Sequence, residues 1–142
     1  MKITVLTKNI QQGLNTVKNI VGRNLNLPVL NTILLNYKNN QINLSTTNLE
    51  LGINYFLSAL TEGQGRVAIP SKIFSDFISN VRDEKMEFSL KDSILNVQSA
   101  NFKTKFICLD PKDFPLIPKL KKEPIVSFPS RVLKNNLSSV FD

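Results

Sequence analysis

A strand-then-helix pattern occurs three times along the 142-residue chain, and it limits the possible folds more than any other feature. The three copies span residues 3–17, 67–81 and 126–140. Each copy keeps two apolar residues, then a hydroxyl residue, a basic residue and three further apolar residues at the same offsets. In the first copy these positions are Ile3, Val5, Thr7, Lys8, Ile10, Leu14 and Val17. The copies therefore represent one structural unit that is used three times.

The spacing within the unit predicts its structure. The first two apolar positions are two residues apart, which is the period of a strand with one buried face. The Thr or Ser that follows has a hydroxyl that can accept from the free N–H groups at a helix start. The last three apolar positions are four and three residues apart and so share one face of a helix. We expect a short strand leading into a hydroxyl-capped helix whose basic residue lies opposite the buried face.

Alternating apolar residues after the first two copies predict three more strands in each half of the chain. The predicted strands cover residues 33–37, 42–46 and 49–59 in the first half, and 86–90, 95–97 and 102–108 in the second. Residues 38–41 favour a tight turn, and Pro28 disfavours a helix in the connector before these strands. Two strand–helix–strand–strand–strand repeats predict an α+β domain with two helices side by side on one face of antiparallel sheets.

The end of the sequence differs in composition from the rest. Residues 110–123 are rich in proline and lysine, which is typical of an extended linker. The third copy of the unit follows, and the sequence ends inside its helix at Asp142. One strand and one short helix cannot build a core of their own. We therefore expect a first domain at residues 1–122 and the incomplete start of a second domain of the same kind at residues 123–142.

The charge of the chain is unevenly distributed. Eighteen basic residues against eleven acidic ones give a net charge of +7, and the first 49 residues contain no carboxylate. Such a bias favours a polyanionic partner, most often nucleic acid, with a generically basic protein as the alternative. The single Cys108 excludes an internal disulfide, and the sequence has neither a signal-peptide core nor an apolar run of about 18 residues. We expect a cytoplasmic protein without a membrane partner.

The polar faces of the two complete helices are the candidate binding surface. Lys8, Gln12 and Asn15 lie opposite the apolar stripe of the first helix, on a face without acidic residues. The second helix offers Lys72 as the matching cation, together with other polar and acidic residues: Ser75, Asp76, Ser79, Arg82 and Asp83. Polar side chains without aromatics suit phosphate contacts better than base stacking. We predict weak, sequence-independent contact with roughly two to four phosphates, and ordinary solvated helix faces are the alternative.

The sequence lacks a constellation of catalytic residues. It contains no histidine, the usual general base and metal ligand. Cys108 falls on the apolar face of a predicted strand and reads as a buried structural thiol. Gly63 and Gly65 lack the lysine and helix of a phosphate-binding loop. Asp110 and Asp113 form a lone loop pair that is a poor metal site, so we expect no enzyme activity, no metal and no cofactor.

Four short strings carry a resemblance to a known family. They are residues 26–30 (NLPVL), 47–50 (TNLE), 69–72 (IPSK) and 113–115 (DFP). Their order and approximate spacing, together with the internal repeat, resemble the bacterial DNA polymerase III beta subunit, the sliding clamp. The resemblance covers the complete first domain of that family to about residue 122 and the opening of its second domain. Asn26 and Asn48 stand where the family usually has Thr and Asp.

The resemblance implies a DNA-clamp-like fold and a non-enzymatic function. It implies a processivity factor that forms a head-to-tail homodimeric ring, with helices lining the hole and sheets outside. Duplex DNA would pass through the ring, and the ring would tether the replicative polymerase of the DNA polymerase III holoenzyme. The other partners would be DNA polymerase III subunits and the clamp loader. A closed ring holds DNA topologically, so weak contacts would suffice.

The resemblance also assigns roles to individual residues. The family's basic DNA contact in the connector after the first helix falls on Asn24, with Arg23 adjacent. The basic contact at the start of the second helix falls on Lys72. The subunit contact of the last strand falls around Phe102, Lys103 and Phe106. The cleft that binds partner peptides in this family is built from later domains.

Two other functions stay open at this point. The chain could be a stand-alone basic module of clamp-like fold that coats DNA or binds a protein through an exposed sheet edge. An enzyme has only Cys108 and the loop aspartates in its favour. Further copies of the repeated domain beyond Asp142 would support the ring, whereas a stop codon there would support the module.

Overall fold

The computed structural model describes residues 2–21, 26–118, 123–124 and 126–141. The described residues form nine strands and three α-helices, joined by short 3₁₀ helices at Lys18–Ile20, Pro28–Asn31 and Pro111–Asp113. The first half contains β1 (Lys2–Leu6), α1 (Thr7–Val17), β2 (Thr32–Lys38), β3 (Gln41–Thr47), β4 (Gly52–Ser58) and β5 (Leu60–Glu62). The second half contains β6 (Gly65–Pro70), α2 (Ser71–Asn80), β7 (Lys85–Lys91), β8 (Ile94–Gln98) and β9 (Lys103–Ile107), and α3 (Ser130–Phe141) follows.

The two halves exchange their first strands. One antiparallel sheet has the order β5-β1-β7-β8-β9, and the other has the order β4-β3-β2-β6. Thus β1 joins the strands of the second half, where Ile3 pairs with Phe88, and β6 joins those of the first half, where Val67 pairs with Leu35. These two pairings occupy equivalent positions in the repeat, which confirms the predicted repeat. The exchange also means that neither half has a complete sheet by itself.

The core lies between the sheets and the helices. Helix α1 buries Ile10, Leu14 and Val17, as the spacing predicts, and α2 buries Phe74 and Ile78. All five side chains are at most 2% exposed, so both apolar stripes pack fully against the sheets. Burial of this kind contributes roughly 1.5–3 kcal/mol per large side chain and dominates the stability of the domain.

The two helices lie side by side and antiparallel, because Gln11 of α1 meets the end of α2 whereas Leu14 and Asn15, one turn later, lie beside Ser75. Gln11, near the start of α1, donates from Nε2 to the carbonyl oxygens of Ile78 (2.9 Å) and Val81 (3.0 Å) at the end of α2. The side chain thus satisfies the Val81 carbonyl at the C-terminus of α2 and adds a second donor to the Ile78 carbonyl, which also accepts from the backbone N–H of Val81 (3.2 Å). The predicted helix pair on one face of the sheets is therefore confirmed.

The predicted hydroxyl caps are wrong. Thr7 and Ser71 are the first helical residues, Leu6 and Pro70 occupy the N-cap positions, and no side chain that the structure describes caps either helix. The strand runs directly into the helix, which leaves no extended position for the hydroxyl residue. Instead, the backbone N–H of Thr7 donates to the carbonyl oxygen of Glu84 (2.9 Å). Both hydroxyl side chains are buried, with 3% exposure for Thr7 and 5% for Ser71.

The predicted strand over residues 49–59 is shorter and interrupted. Leu49 has a φ of 77°, inside a turn in which the Asn48 side-chain oxygen accepts from the backbone N–H groups of Glu50 and Leu51. The predicted strand is then interrupted at Ala59. Strand β4 ends before this residue in one sheet, and β5 begins after it in the other sheet. The predicted tight turn is confirmed, since Asn39 and Asn40 have φ values of 51° and 58°, and Asn is among the residues that tolerate this conformation.

The prediction of an extended linker is wrong for residues 111–114. Pro111 starts a 3₁₀ turn, with the Asp110 carboxylate accepting from the backbone N–H of Lys112 (2.9 Å). Phe114 is buried in a small second core with Val29 and Leu30. Those two residues belong to a 3₁₀ helix that begins at Pro28, so this proline starts a helix where the sequence predicted none.

The third copy of the unit forms its helix but not its strand. Helix α3 begins at Ser130, at the position that the repeat predicts. Val126 and Phe128 belong to no strand among the described residues, and they are 61% and 63% exposed. The first strands of the other two copies pair with strands of the opposite half, and the described residues offer the third copy no such partner. Its helix consequently buries none of its described side chains.

Candidate nucleic-acid interface

The outer surface of the helix pair carries the side chains that the sequence proposes for DNA contact. Lys8, Gln12 and Asn15 are exposed along α1, on the side opposite its buried stripe, and Lys72 is exposed at the start of α2. We call the exposed polar residues of this surface the polar helix face: Lys8, Gln12, Asn15, Lys18 and Asn19 from the first half, and Lys72, Asp76, Ser79 and Arg82 from the second.

Ser75 does not belong to this face, although the helical spacing predicted it there. It is 8% exposed and lies between the helices beside Leu14 and Asn15, and its hydroxyl has no hydrogen-bond partner among the described residues. The neighbouring helix covers it, which spacing along a single helix cannot reveal. The polar helix face on α2 is therefore narrower than predicted.

The cations of the polar helix face form no close ion pair with the described carboxylates. Within residues 2–21, 26–118, 123–124 and 126–141, the ion pair observed is that of Lys2 with Glu87 (3.2 Å), on the first sheet. Lys8, Lys72 and Arg82 thus have no carboxylate partner in the part of the chain that the structure describes. These cations outnumber the one carboxylate of the face, that of Asp76, and lie beside neutral amides and hydroxyls, so the surface suits phosphate oxygens.

The acidic Asp83 follows α2 but is held at a neighbouring turn. Its carboxylate accepts from the backbone N–H of Asn101 (3.1 Å) and from the Asn101 side-chain amide. Hydrogen bonds from the Ser99 side chain and the Asn101 backbone lower the pKa of Asp83, which keeps it ionised. This charge is thereby fixed beside β8 and β9.

Two of the proposed DNA contacts, Arg23 and Asn24, lie outside the described residues. Which of the two makes the connector contact stays a prediction. The roles assigned to Lys8, Gln12, Asn15 and Lys72 also stay predictions, since the structure gives their exposure but no nucleic acid.

The proposed subunit-contact residues fall into two groups. Phe102 is 47% exposed and meets Phe77 edge to face (6.4 Å between ring centroids), and Lys103 is exposed at the start of β9. Phe106 is 5% exposed and lies in the core, with its ring 5.3 Å from that of Phe74. The side chain of Phe106 is therefore not available on this surface, and a subunit contact could use only the backbone of its strand.

The sequence analysis missed an exposed apolar side chain in the same region. Ile73 is 64% exposed, and it lies one helical turn from Phe77 on α2. Among the described residues, strand β9 pairs with β8 and with no strand on its other edge, which lies beside these residues. The sequence did contain an indication of this exposed residue. Ile73 lies outside the apolar stripe of α2, so it cannot pack into the core that the stripe faces.

The residues considered for catalysis and metal binding form no site in the described structure. Burial raises the pKa of the Cys108 thiol, which lies in the core as predicted. Among the described residues there is no group of three or more His, Cys, Asp or Glu side chains that could hold a metal. Within the same residues, no helix combines the length and the apolar character needed to cross a membrane.

The arrangement of helices and sheets defines a class of protein. The fold matches that of the DNA polymerase III subunit beta from Pseudomonas aeruginosa, with a TM-score of 0.88 and 20% identity over 97% of this chain and 38% of that one. It also matches the DNA polymerase III beta subunit from Thermotoga maritima, with a TM-score of 0.79 and 21% identity over 86% of this chain and 34% of that one. The fold is therefore that of a DNA-clamp domain.

The sequence places the chain in a particular family. The family profile "DNA polymerase III beta subunit, N-terminal domain" matches residues 1–118. The chain is 22% identical over 138 residues to the beta sliding clamp of Chlamydia pneumoniae, covering 96% of this chain and 38% of that protein. It is 26% identical over 146 residues to the beta sliding clamp of Synechocystis, covering 96% and 37%. The chain belongs to the DNA polymerase III beta subunit family, and it spans little more than a third of the length of these relatives.

Proposed function

We propose that this chain serves as the N-terminal part of a sliding clamp, a ring that encircles duplex DNA and tethers the replicative polymerase to its template. The observation that carries the proposal is the polar helix face, whose free cations lie on the side of the domain opposite the sheets. Its role is that of a non-catalytic processivity factor in the cytoplasm. Family membership supports this role, because the relatives named above are sliding clamps.

The proposed DNA contacts are few and do not depend on base sequence. Lys8 and Lys72 neutralise phosphates, Gln12 and Asn15 donate hydrogen bonds to them, and Arg23 or Asn24 adds a contact from the connector. With roughly two to four phosphates per domain, the affinity falls steeply with salt, at a log–log slope of about −0.9 per phosphate. A closed ring compensates for this low affinity, because DNA leaves it only when the ring opens.

The division of the chain is proposed as residues 1–122 for the first clamp domain and 123–142 for the start of a second. The exposed Leu133 and Leu137 on α3 support this division, since they repeat the spacing of the stripe that α1 buries. Such a stripe needs a sheet to cover it. In a complete ring that sheet is provided by a second domain.

The proposed assembly is a head-to-tail homodimer. Its subunit contact uses the free edge of β9 with Phe102, Lys103 and the strand that holds Phe106, next to the exposed Ile73. An edge strand and an adjoining apolar patch suit strand-to-strand association. The other proposed partners are DNA polymerase III subunits and the clamp loader.

The charge-reversal variant Lys72→Glu tests the proposed DNA contact. We expect it to weaken binding of the chain to a 20-base-pair duplex at low salt, and to leave the melting temperature nearly unchanged because Lys72 is exposed and unpaired. Fluorescence anisotropy across a salt series and a thermal melt measure the two quantities. Wild-type binding should be lost by about 0.2 M salt.

The matched control is Lys91→Glu, which reverses an exposed lysine at the end of β7, at the hairpin to β8. It should alter binding much less than Lys72→Glu. Equal losses from both variants would reduce the effect to net charge and contradict the proposed interface. A large loss of stability in Lys72→Glu would show that this lysine is structural.

A stand-alone binding module is the second candidate function. The free edge of β9 beside Ile73 and Phe102 favours it, because such an edge can accept a strand from another protein. The coding sequence downstream of Asp142 separates the candidates. Two further copies of the repeated domain there support the ring, whereas an immediate stop codon supports the module.

A further inference from the structure

An apolar groove of about 430 Å³ lies at the edge of the five-stranded sheet, where β4 ends and β5 begins. Its apolar part consists of Val5 and Leu6 at the end of β1, together with Ala59 and Leu60 at the bend between β4 and β5. Leu6 is 43% exposed and Leu60 is 68% exposed, so the groove presents apolar surface to solvent. None of its described lining residues belongs to the polar helix face.

The end of β1 has an open edge in this groove. Strand β5 pairs with residues 2–4 of β1, whereas β1 continues to Leu6. Among the described residues, no strand lies beside Val5 and Leu6 on this edge. The residue equivalent to Leu6 in the second half is Pro70, and proline protects a strand edge because it has no N–H to donate. The first half lacks this protection, so its edge can accept an added strand.

The opposite wall of the groove is held in place by Asn40. The carbonyl oxygen of Asn40 accepts from the N–H of Ala59 (3.0 Å), and its own N–H donates to the Thr61 hydroxyl (3.0 Å). Its side-chain oxygen accepts from the N–H of Thr61 (3.1 Å). These three bonds fix the bend between β4 and β5. A groove whose wall is already ordered avoids part of the entropy cost of binding.

The charge of the groove is positive. Lys85 lines it, and no carboxylate does so among the described lining residues. Lys85 is paired with Leu6 across β7 and β1, so the two side chains lie on the same face of the sheet. The neighbouring Glu84 lines other clefts, and Glu87 forms its ion pair with Lys2 (3.2 Å). An apolar groove bordered by an unpaired lysine complements an aliphatic side chain close to a carboxylate.

We propose that this groove binds an extended segment of a partner protein in which a carboxylate follows an aliphatic residue at a distance of two positions. The backbone of the segment pairs with the open edge of β1, its aliphatic side chain lies against Leu6 and Leu60, and its carboxylate faces Lys85. The spacing of two follows from the alternation of side chains along a strand. The inference goes beyond the proposed function, because it requires no DNA contact.

The test titrates the full 142-residue chain with short capped peptides and follows its amide NMR signals. The probe acetyl-Ser-Leu-Thr-Glu-Ser-amide carries the proposed pattern and should shift the signals of Val5, Leu6 and Leu60. Exchanging its glutamate for lysine should weaken binding about fivefold, because a repulsion replaces the attraction to Lys85. Exchanging its leucine for serine should abolish binding, which excludes attraction by net charge alone.

Two variants of the chain test the same contacts from the other side. Lys85→Glu should reverse the preference, so that the lysine peptide binds more tightly than the glutamate peptide. Leu60→Ser should weaken binding of the glutamate peptide about tenfold, because it removes apolar contact surface. Both variants should keep the wild-type melting temperature, since both side chains are exposed.

The control Leu116→Ser removes a leucine that is 91% exposed and lies outside the groove, and it should leave peptide binding unchanged. Absence of binding by the glutamate peptide, or equal binding by the lysine peptide, would overturn the proposal. Shifts of the same three signals with rising protein concentration and no peptide would assign the groove to a second copy of this chain, and would also overturn it. None of these measurements involves DNA, so such a failure would leave the proposed function intact.

Discussion

The two halves of this domain share one topology and differ in how they end. In the first half Leu60 pairs with Thr4, and the chain continues through Thr61 and Glu62 as β5. In the second half Leu109 makes the equivalent pairing with Ala68, but Pro111 follows and the chain leaves the sheet. Proline has no N–H to donate to a strand ladder. The second half therefore carries a residue that cannot continue the strand ladder at a point where the first half extends its edge strand.

The helices differ at an equivalent position in a similar way. Gln11 of α1 corresponds to Ser75 of α2, 64 residues further along. Gln11 reaches across the helix pair and donates to two carbonyls, whereas the hydroxyl of the shorter Ser75 has no partner within the described part of the chain. The repeat places these two residues at equivalent positions in their helices, and the length of the side chain decides whether an interhelical hydrogen bond forms there. Substitutions at equivalent positions can therefore test the comparison directly.

The largest effect is expected from Phe74→Ala in α2 and from Ile10→Ala at the equivalent position in α1. Both side chains are fully buried. Phe74→Ala should cost about 3–5 kcal/mol and Ile10→Ala about 2–5 kcal/mol of unfolding free energy. Because the halves exchange strands, each variant should unfold in one transition in urea when followed by circular dichroism. Two separate transitions would show that the halves fold independently.

Smaller effects on the free energy of unfolding, which differ in direction from each other, are expected from Gln11→Ala and Ser75→Ala. Gln11→Ala removes two hydrogen bonds between the helices and should cost about 1–2 kcal/mol. Ser75→Ala removes a buried hydroxyl that has no partner among the described residues, and should be neutral or stabilising by up to about 1 kcal/mol. Urea unfolding of the two variants measures both signs. Destabilisation by Ser75→Ala would indicate that its hydroxyl has a partner, and so weaken the contrast between the helices.

The smallest effect is expected from Asp83→Asn, which gives the second half the residue that the first half has at Asn19. The pKa of Asp83 is lowered in the folded state by hydrogen bonds from Ser99 and Asn101. The ionised carboxylate therefore stabilises the fold above the unfolded pKa, and this stabilisation is lost as pH falls through the folded pKa. The melting temperatures of wild type and variant should differ slightly at pH 6 and converge towards pH 3. A difference that grows as pH falls would contradict the assignment.

The features that could be predicted from sequence are those that depend on local periodicity. The repeat, the two buried helix stripes, the Asn39–Asn40 turn and the buried Cys108 all follow from spacing and residue type, and the structure confirms them. None of these features depends on which distant segment packs against the residues concerned.

The features that could not be predicted depend on contacts between distant segments. The exchange of β1 and β6 between the halves leaves the alternation of apolar residues in each strand unchanged, so the sequence pattern does not reveal it. Phe114 is a single aromatic residue in a proline-rich segment, and only the pocket beside Val29 and Leu30 explains its burial. Thr7 is a residue type that often caps helices, but the strand leads directly into α1 and Thr7 is therefore the first helical residue. The residues of the polar helix face were predictable as a surface, whereas the burial of Ser75 between the helices depends on the packing of both helices.

Directed cross-linking tests the central claim that the helix pair, and not the sheets, meets the DNA. Because Cys108 is buried, cysteines introduced at exposed positions can be labelled selectively with a photo-activated cross-linker. Gln12→Cys on α1 should cross-link to a bound duplex at low salt, and Ser89→Cys on the exposed face of β7 should not. Cross-linking from Ser89→Cys without cross-linking from Gln12→Cys would place the DNA against the sheets and contradict the account.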